Sequence, residues 1–244
     1  MAERRRTPLR DQHRHSPRWE LLRVIERSQP QSDFVRIVFE TTSGEYFASH
    51  GFDDVVVLYF SKYAYPEKLH PEHDAELFNG REYTVRHCDG SGHRISVDFV
   101  LHDHGAAIDW LRTASIGDLL WSVPTRMCRL VPEARFTVLL ADDTARPAME
   151  RFIEENEANS HQAILFSDRG AADLEHSDSV SVVPLRTDPT EAMRHLALPS
   201  RAVKEPIFFW IAGEAGWCTE FRRVLVNDYD ISRDHIQFTG YWRL

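Results

Sequence analysis

At 244 residues the chain is long enough for one large domain or two small ones. Apolar residues make up 42% and charged residues 27%, which excludes a disordered or low-complexity chain and indicates a globular protein with a core. A net charge of −9 argues against a general polyanion-binding surface, so nucleic acid is not an expected partner.

Residues 1–15 carry five Arg, two His and no apolar periodicity, and read as a flexible arm. They lack the apolar stretch of a secretory signal or a membrane span. Cys88, Cys128 and Cys218 are scattered and no C-x-x-C occurs, so neither a disulfide framework nor a thiolate metal site is suggested. A cytoplasmic location fits that usage. His70-x-x-His73 and His102-x-His104 lack a third ligand at recognisable spacing, so they read as loop histidines and no metal is expected.

From residue 19 to about 129, short alternating or apolar runs are broken by turn residues. Strands are expected over 19–27, 34–40, 54–60, 81–87, 94–101 and 117–123. Turns fall at 28–32, 42–45 and 89–92, and a short helix at 106–114. Many strands with one late helix suggest a closed antiparallel β-barrel. The period then changes. Residues 136–141 form a continuous apolar strand, followed by a helix over 142–156 with Pro147 in its first turn. Further strands at 162–167, 179–184 and 206–212 alternate with helices at 190–196 and 218–228, the pattern of a parallel α/β sheet.

Within the barrel, Arg81-Glu82-Tyr83-Thr84-Val85 places a cation, an aromatic ring and a hydroxyl at a strand end. Arg81, Tyr83 and Val85 share one face and Thr84 points to the other. An Arg suits a pyrophosphate, a Tyr ring covers a planar heterocycle, and a Thr hydroxyl or amide bonds a ring nitrogen. These are the requirements of a flavin dinucleotide, though an ordinary amphipathic strand with a solvated Arg would look the same. A helix starting at Gly105-Ala106-Ala107 would add unsatisfied amides for a pyrophosphate.

Arg81-Glu82-Tyr83-Thr84 resembles the Arg-x-Tyr-Ser/Thr flavin motif of the ferredoxin-reductase superfamily. It is followed in order by Asp98-Phe99-Val100-Leu101-His102, Asp142-Asp143-Thr144-Ala145-Arg146-Pro147-Ala148, Ala212-Gly213-Glu214-Ala215 and Gly240-Tyr241-Trp242-Arg243. That succession, over residues 16 to 244, is similar to the siderophore-interacting proteins, flavin-dependent ferric-siderophore reductases. The resemblance implies an FAD-binding barrel over 16–131 and an NAD(P)H-binding-like α/β domain over 132–244. It assigns FAD to Arg81, Tyr83, Thr84, Val85, Asp98, Phe99, Val100, His102, Ala106, Ala107, Asp143, Thr144 and Ala145. Gly213, Glu214, Tyr241 and Trp242 fall on the nicotinamide or substrate side.

Each of these segments also has a plainer reading. The turn at 141–147 is not a G-x-G-x-x-G loop, and physics alone makes it an acid-rich helix start with Asp142 or Asp143 as N-cap. Gly213 and Gly216 permit close approach either to a ligand or between helix and strand. Ser167-Asp168-Arg169 ends another strand on the same sheet edge. Trp110 reads as core packing, and the terminal aromatics either pack on the barrel or line the substrate mouth.

The chain departs from the family pattern over Ser122-Val123-Pro124-Thr125-Arg126, where a Gly-Pro-rich segment is usual, and at three single positions. Ile108 stands where a hydroxyl residue is usual, Ala141 where Gly is usual, and Val57 where a substrate-binding Lys often lies. Lys62, Lys68, Arg126 and Arg243 are candidate replacements for that Lys, since ferric siderophores are often anionic. The expected activity is electron transfer from NAD(P)H, or an electron-carrier protein, through FAD to siderophore-bound Fe(III). Two alternatives stay open: a flavin reductase or oxidase of another small acceptor, and a non-redox siderophore-binding protein on the same fold.

Overall fold

The computed structural model describes residues 12–14, 18–45, 47, 49–61, 66–124, 127–129, 134, 136–157, 160–169, 180–196 and 207–243. Its contacts divide the chain at Arg129/Leu130 into two compact units.

The first unit holds β1 (Gln12–Arg14), β2 (Glu20–Gln31), β3 (Phe34–Thr41), β4 (Val55–Ser61), β5 (Phe78–Thr84), β6 (His87–Cys88), β7 (Arg94–Val100), α1 (Ala106–Leu111), β8 (Leu119–Pro124) and β9 (Met127–Arg129). Seven strands form one antiparallel sheet in the order β5-β4-β8-β2-β3-β7-β6. Its two ends, β5 and β6, are successive pieces of the same chain segment, so the sheet closes on itself. The joint is visible in two neighbouring amides. Val85 N–H donates to Asp54 O beside β4 (2.8 Å), and Arg86 N–H donates to Ser96 O on β7 (2.9 Å). The expected single strand over 81–87 is therefore two strands that change partner at 85–86.

Alternation explains the barrel interior. In β4, Val56, Leu58 and Phe60 are buried and the residues between them are half-exposed. They join Leu22, Val24, Ile37, Phe39, Ile95, Val97 and Phe99 in one apolar core, which α1 completes with Ala107, Ile108 and Leu111. Helix α1 ends at Leu111, three residues short of the sequence expectation, and Arg27 holds carbonyls at and beyond its end. The guanidinium donates to Leu111 O (2.6 Å) and Ala114 O (2.9 Å). Outside the main sheet, Gln12–Arg14 pair with Met127–Arg129, so the segment expected as a loose arm is a strand at its end.

The second unit contains β10 (Phe136–Asp142), α2 (Arg146–Glu155), β11 (Ser160–Phe166), β12 (Val180–Val183), α3 (Pro189–Ala192), β13 (Ile207–Glu214), α4 (Ala215–Asn227) and β14 (Ile236–Trp242). Its five strands are parallel, in the order β12-β11-β10-β13-β14. Order reverses between β10 and β13, the switch point where such sheets receive ligands at their carboxyl edge. Both faces of the central strands are buried, which accounts for the continuous apolar run in β10. Val138, Leu140, Phe209 and Ile211 meet Cys218, Phe221 and Leu225 of α4, while α2 lies against β10 and β11. Strand β14 was not expected: only its terminal aromatics stood out in the sequence. The barrel followed by a parallel α/β sheet is otherwise the expected architecture. Among the described residues no helix is long and apolar enough to cross a membrane.

A buried ion pair braces the closure. Arg36 grips Asp98 with two bonds (2.7 and 2.8 Å), and Arg86 lies 3.7 Å from the same carboxylate, which is 3% exposed. Replacing Asp98 by Ala removes a carboxylate that both guanidiniums face. Denaturant unfolding should then show a loss of about 3 kcal/mol, and a loss below about 1 kcal/mol would show the pair is dispensable.

Candidate functional site

The change of partner at 85–86 shapes the first candidate site. Upstream of it, β5 is paired with β4 through residues 78–84. Downstream, β6 is paired with β7 only at Ser96 and Ile95. Residues 97–100 of β7 thus pair with β3 on one side and run beside β5 without joining it.

Arg81 is exposed, and among the described residues its guanidinium bonds only its neighbour's carbonyl, Gly80 O, at 2.8 Å. Tyr83 lies two residues on, on the same face, with its ring 4.6 Å from Phe99 and 6.1 Å from Phe60. Burial, partly offset by the Arg81 charge, pushes the Tyr83 phenol above its ordinary range, so the ring stays neutral. Thr84, on the opposite face, is buried, and its Oγ1 has no hydrogen-bond partner among the described residues. A buried hydroxyl left unpaired costs about 1–3 kcal/mol. A ligand that accepts or donates there would recover it.

Other residues expected to bind cofactor also have partners within the protein. Val85 is fully buried in the barrel core and gives its N–H to Asp54. Asp54 in turn gathers Ser49 Oγ, His50 N and Gly51 N on Oδ2, at 2.7 to 3.0 Å. Asp98 serves Arg36 and Arg86. Phe99 is a core ring packed on Phe60 and Trp110, and it sets the plane against which Tyr83 rests. Trp110 also stacks on Phe39 at 6.2 Å, so core packing is its role. Val100 is half-buried at the end of β7, and His102 is exposed.

At the head of α1, Gly105 adopts φ +137°, a conformation that favours glycine, and no side chain caps the helix. The first helical bond runs from Asp109 N to Gly105 O. The amides of Ala106 and Ala107 precede it and have no helical acceptor. Ile108 is 5% exposed and faces the core, so the family's hydroxyl position is a packing position here. Arg81, the unpaired Thr84 hydroxyl and an uncapped first turn are a donor set that fits a flavin dinucleotide.

In the second unit, the carboxyl edge of the sheet is organised by one buried carboxylate. Asp142 Oδ1 accepts Thr144 N (2.9 Å) and Thr144 Oγ1 (2.5 Å). Its Oδ2 accepts Glu214 N and the Trp242 indole N–H, each at 2.9 Å. The ends of β10, β13 and β14 are thereby tied to a single side chain that is 2% exposed. Gly213, at φ +149°, is required at this knot: a Cβ would collide with the Asp142 carboxylate. The close approach expected at this glycine is made by the Asp142 carboxylate.

Neither Asp142 nor Asp143 caps α2, as the sequence led us to expect. The helix starts at Arg146 behind Ala145, with no side-chain cap, because Asp142 is committed to Thr144 and to the neighbouring strands. Ala145 is fully buried and donates its N–H to Asp142 O. Desolvation raises the Asp143 carboxyl above its usual range, against the opposing pull of Ser167 and of Arg169, 3.6 Å away. Asp168 instead holds Leu185 N in the adjoining loop. Glu214 caps α4 by accepting Trp217 N at 2.7 Å. Ala141 is fully buried within the sheet, so its methyl group fills core space. Tyr241 is half-buried, and Trp242 and Arg243 are exposed. Val57 is half-buried and pairs with Glu82 and Val123. Lys68 is exposed, and Lys62 and Arg126 lie outside the described residues.

The chain is similar to known proteins over both units. A family profile described as the siderophore-interacting FAD-binding domain matches residues 23–123, and one described as siderophore-interacting protein matches residues 134–244. The NADPH-dependent ferric-chelate reductase of Escherichia coli is 27% identical over 251 residues, covering 94% of each chain. The ferric vibriobactin reductase of Vibrio cholerae is 28% identical over 173 residues, which span 67% of this chain and 64% of that protein. A siderophore utilization protein from T. fusca superposes with a TM-score of 0.78 at 26% identity, covering 96% of both chains.

Replacing Asp142 by Ala strands four donors at the sheet edge. We expect a stability loss of about 2–4 kcal/mol, together with faster hydrogen exchange at the Glu214 amide and the Trp242 indole. Unchanged exchange at both positions would contradict the linking role of this carboxylate.

Proposed function

We propose that this chain, which belongs to the siderophore-interacting protein family, is an FAD-dependent ferric-siderophore reductase. The observation that carries the reading is the donor set where β5 parts from β7, inside the segment matched by the family's FAD-binding profile. FAD supplies the link between a two-electron hydride donor and a one-electron Fe(III) acceptor. The protein's part is to bind, orient and shield.

Arg81 offers a bidentate cation for the pyrophosphate, and the uncapped amides of Ala106 and Ala107 offer neutral donors of the same kind. Tyr83, backed by Phe99, gives a neutral aromatic face for a flat ring system. Thr84 brings the hydroxyl that lacks a partner among the described residues. No side chain need act as nucleophile or proton donor, because reducing Fe(III) to Fe(II) itself weakens hard-oxygen coordination.

NAD(P)H is the donor that best suits the second unit, whose strand order gives a nucleotide-type switch point between β10 and β13. The E. coli relative is named for NADPH dependence. An electron-carrier protein is the competing donor. A cytoplasmic setting belongs to the same reading and is in keeping with Cys88 and Cys218 standing outside any disulfide among the described residues. Arg243, exposed at the end of the described chain, is the candidate contact for an anionic siderophore.

Two variants separate binding from folding. Arg81→Ala should weaken FAD binding by about tenfold or more, the worth of a charge-assisted contact. Thr84→Val should leave flavin-free stability unchanged or improved, and weaken FAD binding by about fivefold. Wild-type affinity in both variants would remove these residues from the site. The activity itself is read by trapping Fe(II) with a ferrous-specific chelator during turnover with NADPH and ferric siderophores. Fe(II) formation dependent on FAD supports the proposal. Turnover of free flavin or oxygen alone selects another acceptor.

A further inference from the structure

The loop between β4 and β5 carries a second cluster of chemically capable side chains, away from the donors described above. His70, Glu72 and His73 each present one ligand atom, and all three atoms lie within 4.8 Å of one another. We propose that these residues form a surface site for a first-row divalent transition metal, with water completing its coordination.

The local backbone brings the three together. His73 N and Asp74 N both donate to His70 O at 2.9 Å, which curls residues 70–74 into one tight turn. Asp74 Oδ2 accepts His70 N at 2.8 Å and locks the turn from its far end. Pro71 is buried inside it and restricts the chain before any ligand arrives. The preceding residue is also held, since Trp121 Nε1 donates to Leu69 O at 2.9 Å.

The His70 ring is positioned by packing. It lies 4.7 Å from the Trp121 ring and 5.2 Å from the Trp19 ring, in edge-on contacts on the outer face of the barrel. A ring so held loses little freedom on binding a metal, which is the usual advantage of a prepared site. The other two ligands are free to close on it. Glu72 and His73 are exposed, and among the described residues neither the Glu72 carboxylate nor the His73 imidazole has a hydrogen-bond or ion-pair partner. The His70 Nδ1 receives only a long 3.3 Å contact from Glu72 N.

Ligand chemistry narrows the class. Metal–ligand bonds of about 2.0–2.2 Å need the three atoms to draw closer by roughly an ångström, within the reach of two exposed side chains. Two imidazoles and one carboxylate suit Zn(II), Fe(II), Co(II) or Ni(II) and disfavour Ca(II) and Mg(II), which take oxygen ligands, and Cu(I), which takes sulfur. The proposed reaction releases one such ion, Fe(II). The site nonetheless stands on its own ligand geometry, and its test needs no flavin. His102 and His104 make a useful contrast: both are exposed, their rings are 6.5 Å apart, and no third ligand joins them among the described residues.

The test uses the full chain and Zn(II) or Co(II) alone. Equilibrium dialysis should find a saturable Zn(II) site whose affinity falls about tenfold or more in His73→Ala. Glu72→Gln should weaken it in the same direction, and the double variant His102→Ala/His104→Ala should leave it unchanged. Both ligand positions are exposed, so their replacement leaves the fold intact. Because His70 touches two indoles, Co(II) should also quench Trp19 and Trp121 fluorescence, with the quench lost in His73→Ala. Wild-type affinity and quenching in both Glu72→Gln and His73→Ala would overturn the proposal. So would the absence of any saturable site up to about 1 mM metal.

Discussion

The first unit depends on one segment serving two partners. Residues 78–84 complete β4, and residues 87–88 complete β7, so a single stretch of chain shuts the barrel. The cost falls at the joint, where two consecutive amides face opposite strands. The structure meets that cost with anchored carboxylates on each side: Asp54 braces the β4 side and Asp98 the β7 side. Between them the strands stay parted, and that parting leaves Arg81 exposed, Tyr83 half-covered and the Thr84 hydroxyl unpaired. Site and closure have one origin.

The second unit solves a different problem. A parallel sheet of this order brings strand ends together at its switch point, where nucleotide-binding folds usually place a glycine-rich loop and a bare helix start. Here a buried carboxylate occupies the junction and uses donors from β13, β14 and its own turn. Those bonds satisfy a charge that would otherwise be costly to bury. The same acid, with Asp143 and Glu214 nearby in sequence or space, makes this edge a poor place for phosphate. Glycine at 213 and the capping by Glu214 then follow as packing needs.

Much of this was legible in the chain. Alternation in β4 and the apolar run in β10 announced a one-sided barrel strand and a sheet covered on both faces. The spacing of Arg81, Tyr83 and Thr84 announced which side chains would share a face. What escaped was set by distant partners. No local signal says that Val85 and Arg86 bond to different strands, or that Asp98 answers two arginines. Asp142 and Trp242 are 100 residues apart, and their bond redefines both: a presumed helix cap becomes a strut, and a pair of terminal aromatics with no assigned element becomes part of a strand. Ile108 looked like a lost phosphate ligand because its short helix could not be oriented from sequence. Burial shows it to be core. His70-x-x-His73 showed no third ligand at a recognisable spacing; the tight turn that brings the Glu72 carboxylate to the two imidazoles is set by the fold.

The most direct test of the account is the absorbance spectrum of the purified chain after incubation with FAD and desalting. The donor set at the β5/β7 parting predicts flavin bands with about one FAD retained per chain. A chain that retains no flavin under any condition would contradict the central claim and leave a flavin-free member of a flavin-binding family.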